Sequence, residues 1–214
     1  MGKYMGKKII DYSIKIFWIF VIGSVFGFFA EMLYALVYTR TLEIRQGLVY
    51  GPFIQIYGAG AVAYYILISN IQEPKKAFFS GIFMGGALEY LCSFFQEIFF
   101  GTISWDYSDL FMNLNGRTSL LYCVYWGMIA IIYLKIAYPT IQKAEPILYK
   151  KSIRVITAFF VLFMAFDITI SCMAGNRQQE RRQNIPANGA VDEFLDRNYP
   201  DELLDRVYNN KKDV

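Results

Sequence analysis

Apolar and polar positions along this chain come in blocks. Apolar runs of about twenty residues, the length that crosses about 30 Å of hydrocarbon as a helix, alternate with short polar connectors. The runs cover residues 16–38, 50–69, 77–100, 118–138 and 153–173. They predict an all-α fold, a polytopic transmembrane helical bundle of about five spans within residues 1–175. A transmembrane barrel would show shorter segments of strict apolar–polar alternation, which is a different pattern. The start of the chain is basic and then apolar, like a secretory leader. The apolar stretch is longer than a leader core and lacks a small-residue cleavage site before the chain turns polar. It is therefore expected to remain as an anchor.

The pattern changes at residue 176. The tail, 176–214, is polar and reads as a soluble segment with two short helices. Val191, Phe194 and Leu195 fall on one helical face, and beyond Pro200 the residues Leu203, Leu204, Val207 and Tyr208 repeat that spacing. Such helices would dock on the membrane domain or on a partner.

Composition agrees with a lipid environment. The chain is 56% hydrophobic, above the roughly 45–50% of soluble domains. Its charges gather at the N-terminus, in the connectors and in the tail. A net charge of +3 is too small to argue for nucleic acid. The chain has no histidine, which removes the commonest general base and the imidazole metal ligands. Cys92, Cys123 and Cys172 lack metal-ligand spacing and read as packing residues. No metal and no cofactor is expected.

Basic residues set the expected orientation. Lys3, Lys7, Lys8 and Lys15, then Lys75 and Lys76, then Lys143, Lys150 and Lys151 would share the cytoplasmic side. Arg177, Arg181 and Arg182 follow the fifth run directly and conflict with a tail on the opposite side.

Several residues are candidates for function. Glu31 lies deep in the first run and Glu89 at the middle of the third, with Gln96 on nearly the same face. Asp167 lies in the fifth. An ionised group near mid-bilayer costs about 2.5–3.5 kcal/mol on insertion scales, so these side chains either line a polar pathway or bond between helices. Gly23 and Gly27, and Gly81 and Gly85, form GxxxG faces where helices approach closely, within the chain or between two copies. Residues 47–60 carry Gly47, Gly51, Gly58, Gly60 and Pro52, an unfavourable helix entry. Irregular backbone at membrane depth is tolerated where it lines a cavity or is buried in protein. The loop 101–117 is dense in polar and aromatic groups: Trp105, Asp106, Tyr107, Asp109, Asn113 and Arg117 either bind a solute or cap the adjoining helices.

Two of these stretches carry a resemblance. Gly47–Ala61 reads GxxYGPFxxIYGxGA, and Trp105–Arg117 reads WDYSDxxxNxNGR, with Trp126-Gly127 beyond it. Together they resemble the signature of a bacterial family of ABC-transporter permeases of type IV, the CmpB-like proteins. Glu31, Arg45, Tyr50, Tyr57, Glu89 and Gly116 fit the same pattern. Gln55 stands where the family pattern has Pro, and Asn209 where the family's terminal segment has Pro. The resemblance implies a multi-pass protein of the bacterial cytoplasmic membrane. It also implies a permease subunit that moves a small solute with a separate ATPase, since this chain has no P-loop. Two other functions stay open. One is a membrane enzyme acting on a lipid or head group through its Glu, Asp and Arg residues, against which stands the lack of an activated nucleophile or imidazole. The other is an accessory or sensory subunit whose tail is the contact.

Overall fold

A computed structural model describes residues 2–42, 44–209 and 211–213. It is a helical bundle. The principal helices are α1 (Gly2–Thr39), α2 (Gln55–Leu67), α3 (Pro74–Phe100), α4 (Leu120–Ile132), α5 (Tyr138–Leu148) and α6 (Lys151–Arg182). A single π-turn, Tyr133–Ala137, joins α4 to α5 in one continuous rod. Two short helices, α7 (Ala190–Asn198) and α8 (Asp201–Val207), complete the chain. Four two-residue strands pair as β1 (Thr102–Ile103) with β4 (Lys212–Asp213) and β2 (Asn113–Leu114) with β3 (Thr118–Ser119).

Four segments are long and apolar enough to cross a membrane: Gly6–Tyr38, Pro74–Phe100, Leu120–Leu148 and Lys151–Arg182. The second apolar run is built differently. Only α2 is helical there, and its 13 residues rise about 20 Å, short of the hydrocarbon thickness. The bundle thus has four long helices and a fifth short one, with irregular backbone covering the remaining depth. Large apolar side chains such as Phe26, Phe83, Phe159 and Leu162 are each more than 65% exposed, as expected of surfaces that face lipid rather than water.

Small residues set the packing. A Cβ on Gly27 would lie 2.3 Å from the Tyr57 ring, and one on Gly23 would lie 2.7 Å from Ala61. On the other side of the bundle, a Cβ on Gly85 would lie 2.1 Å from the Trp126 indole and one on Gly81 would lie 2.6 Å from Ala130. The two GxxxG faces therefore seat α2 on α1 and α4 on α3. Gly23, Gly27, Gly81 and Gly85 are thus filled within one chain, the first of the two arrangements expected of them. A compact core of Tyr64, Ile68, Ala77, Trp126, Ala130 and Tyr133 unites α2, α3 and α4.

Helix termini follow local rules. Pro74 occupies the first turn of α3, where its missing N–H costs nothing. Gly101 ends that helix in the left-handed region at φ 56°, a geometry suited to glycine.

The bundle has two distinct ends. At one, Lys15 bonds Glu145 at 2.9 Å, Arg154 pairs with Asp11, and Tyr65 meets Tyr138. Lys75 and Lys76 in the first turn of α3, and Lys150 and Lys151 at the start of α6, belong to this basic end. The side chain of Lys3 lies outside the described residues. At the other end the strand pair β1–β4 ties the tail to the loop that follows α3. The tail also covers the segment before α2: Gln46 N–H donates to the Val207 carbonyl at 3.3 Å, and Val49 shares a core with Ile170, Ala174, Leu195, Tyr199 and Leu204. Helix α6 runs past residue 176 to Arg182, so the tail proper starts later than its composition suggested.

The arginines that conflicted with orientation are matched by tail acids. Arg177 is 3% exposed and forks onto Asp196, Nε to Oδ1 at 2.9 Å and an Nη to Oδ2 at 3.0 Å. Arg181 reaches Asp196 and Asp201, and Arg182 reaches Asp205. These cations are consumed by the tail's own carboxylates, which weakens them as a topology signal.

Candidate functional site

Half-buried Glu31 and buried Glu89 belong to one polar cluster. Glu31 on α1 accepts a hydrogen bond from the Tyr57 hydroxyl of α2 at 2.6 Å. Arg45, in the segment after α1, stands 3.5 Å from its other oxygen. Glu89 on α3 is 6% exposed. It accepts from the Thr118 hydroxyl at 2.9 Å and from the Tyr107 hydroxyl at 3.3 Å, with the Trp126 indole beside it. The cluster is closed by aromatic rings. Tyr107 stacks on Tyr122 with centroids 4.1 Å apart, and the Tyr57 ring lies 6.1 Å from that of Trp126. Tyr122 in turn lies beside Tyr34 of α1. Burial, with the charge of Glu89 next in weight, pushes the Tyr107 phenol above its ordinary range, so that hydroxyl stays a donor.

Each partner arrives for a local reason. Glycines 85 and 86 admit Trp126 and Cys123 against α3, which brings α4 close enough for Thr118, at its entry, to reach Glu89. Gly27 admits the Tyr57 ring, which places its hydroxyl on Glu31 one turn further along α1. The loop 101–117 is self-bonded. Asp106 accepts from the Ser108 N–H at 2.9 Å and from its hydroxyl at 2.6 Å, while Asn113 bonds the Ser108 and Leu110 carbonyls and accepts from Gly116 N–H. Trp105 donates to the Arg117 carbonyl at 2.8 Å. Asp106 and Asn113 thus shape the turn that delivers Tyr107. Gly116 makes that turn at φ 68°.

Other candidates lie apart from the glutamates. Gln96 bonds Ser104 and Thr102 at the end of α3. Arg117 pairs with Glu97, reaches Ser93 and packs on the Tyr90 and Phe94 rings. Asp109 is exposed. Asp167, fully buried on α6, accepts the Tyr50 N–H at 3.1 Å, and Ser171 accepts the Val49 N–H at 2.9 Å. Together with Gln46 to the Gly51 carbonyl, Gln55 to the Gly47 carbonyl and Gly47 N–H to the Phe53 carbonyl, they satisfy the irregular backbone ahead of α2. That is the condition for such backbone at membrane depth. The Tyr50 hydroxyl reaches Tyr199 of the tail at 2.9 Å. Reading the sequence missed Tyr34, Thr118 and Tyr122. A hydroxyl directly after a Gly-Arg turn is a weak signal, and tyrosines among 17 give none.

Among the described residues, no group of three or more His, Cys, Asp or Glu side chains could hold a metal. The arrangement presents two carboxylates, one guanidinium at the rim and a ring of hydroxyl and indole donors, which suits a polar or cationic group.

Fold and cluster together define a multi-pass membrane protein with a polar cluster among its helices. The chain belongs to the family described as Putative ABC-transporter type IV, which matches residues 18–172. That span contains Glu31, Glu89 and both signature segments. No curated protein and no solved structure matches the chain.

Proposed function

We propose that this chain is the permease subunit of a transporter that moves a small solute, lodged in a bacterial cytoplasmic membrane with its N-terminus in the cytoplasm and its tail outside. The convergence of Glu31 and Glu89 supports the reading. Glu89 sits among neutral donors inside the apolar part of the chain, and family membership adds a transporter context. Buried carboxylates are costly in lipid and mark substrate or proton pathways. Five helices are few for a complete route, so we place the route between this chain and a second membrane subunit. A separate ATPase would supply energy at the basic end, where the connectors 68–73 and 149–150 are reachable.

Two measurements test this. Gentle purification from the native host should recover an ATPase in fixed ratio with the chain. Recovery of the chain alone would move the assignment to an enzyme or accessory subunit. In parallel, Glu89→Ala should reproduce the phenotype of deleting the gene while the protein still inserts at wild-type level. A Glu89→Ala strain that behaves as wild type would sink the carboxylate pathway.

A further inference from the structure

Lys135 is an ionisable residue within the apolar segment Leu120–Leu148. A charge inside a span is by default functional or snorkelled to the surface. It lies in the π-turn Tyr133–Ala137, a form of helix that recurs at functional sites. The side chain is exposed, and among the described residues it pairs with no carboxylate. It lines a cavity of about 560 Å³ with Ser69, Asn70, Gln72 and Tyr138.

Three features of this cavity agree on an anion. Its polar lining is rich in donors: an ammonium, two side-chain amides and two hydroxyls. Pro74 also lines it, so the first turn of α3 borders it, and that N-terminus carries no side-chain cap and the positive end of a 27-residue helix. The acid of the connector, Glu73, is held by Lys76 at 2.7 Å. The remaining wall is apolar, from Ile131 and Leu134. The cavity lies where the α2–α3 connector leaves the apolar span, at the basic end of the bundle, which is the depth of phospholipid head groups.

We propose that this cavity binds the phosphodiester head group of an anionic phospholipid from the leaflet at the basic end, with Lys135 as its counter-ion. Asn70 and Gln72 donate to the phosphate oxygens, and Ile131 and Leu134 line the glycerol and the start of the acyl chains. The site is separate from the glutamate cluster and does not depend on the transport reading.

The test uses the full chain in a neutral detergent, titrated with phosphatidylglycerol, phosphatidylcholine or inorganic phosphate, with binding read by native mass spectrometry and by the thermal unfolding midpoint. Phosphatidylglycerol should bind and raise the midpoint. Lys135→Gln should need about tenfold more of it, the loss expected for one charge-assisted contact, while Lys135→Arg should keep most of the response. Asn70→Leu, at the exposed rim, gives an independent reading and should also weaken binding. Equal responses of wild type and Lys135→Gln, or phosphatidylcholine binding as well as phosphatidylglycerol, would overturn the proposal. Inorganic phosphate reproducing the whole shift would overturn the lipid assignment in favour of a free-anion site.

Discussion

The tail clamp and the glutamate cluster treat buried charge in opposite ways. In the clamp, Arg177, Arg181 and Arg182 meet Asp196, Asp201 and Asp205, and every guanidinium has a carboxylate. In the cluster, Glu31 has Arg45 only at 3.5 Å, and Glu89 is surrounded by hydroxyls and an indole. A matched network at the bundle end fixes a tail in place. A carboxylate at membrane depth held mainly by neutral donors is costly to keep charged. The difference lies in the partners each buried charge is given, ions in the clamp and mostly neutral donors in the cluster.

The comparison is broken most strongly at Arg177. Arg177→Leu removes the forked partner of Asp196, which keeps Arg181, and should cost about 2–3 kcal/mol of tail docking, the scale for charge-assisted hydrogen bonds. Hydrogen exchange over residues 183–209 should rise while α1 to α4 stay protected. Wild-type protection of the tail in that variant would show the clamp to be incidental.

The cluster gives the next largest effect. Thr118→Val removes a donor from Glu89 and should destabilise by about 1–2 kcal/mol, the cost of an unsatisfied buried acceptor. In a Glu89→Gln background the same change should cost less, because the partner that accepted the Thr118 hydroxyl has been replaced. Additive losses in the thermal midpoints would mean that the two side chains do not interact.

Acid sharpens the comparison more gently. Hydrogen bonds from the Arg177 guanidinium, and then from Arg181, hold the Asp196 carboxyl down at about 2 against burial, which pushes it up. A depressed carboxyl adds stability that is complete above the ordinary value near 4 and is lost as pH falls through about 2. Tail protection should therefore be flat from pH 7 to about 5 and decline below about 4. Protection that holds unchanged at pH 2 would contradict the ionic clamp.

Much of the fold is legible from the chain. The apolar blocks mark the long helices because crossing lipid is a matter of length and composition. The glycines of both GxxxG faces mark close helix contacts because only a missing side chain admits a neighbour. The weak entry at residues 47–60 marks irregular backbone, and Asp167 with Ser171 holds it. The candidate site is half legible. Glu31 and Glu89 stand out by their cost in lipid, while Gln96 and Asp167 carry the same signal yet bond elsewhere. Lys135 carries it too, hidden near the end of an apolar run.

By itself, the sequence determined the long apolar elements, the lipid-facing composition and the positions where a helix must break. Each is a local property of chain and solvent. The tertiary structure alone decided that α2 is short, that the GxxxG faces are filled from within the chain, that the tail's acids quench the arginines after α6, and that Glu31 and Glu89 share one cluster. Those outcomes depend on which helices become neighbours and on the depth at which their side chains meet. Neither is a property of any one segment, because a carboxylate's partner can lie a hundred residues away along the chain and one helix away in space.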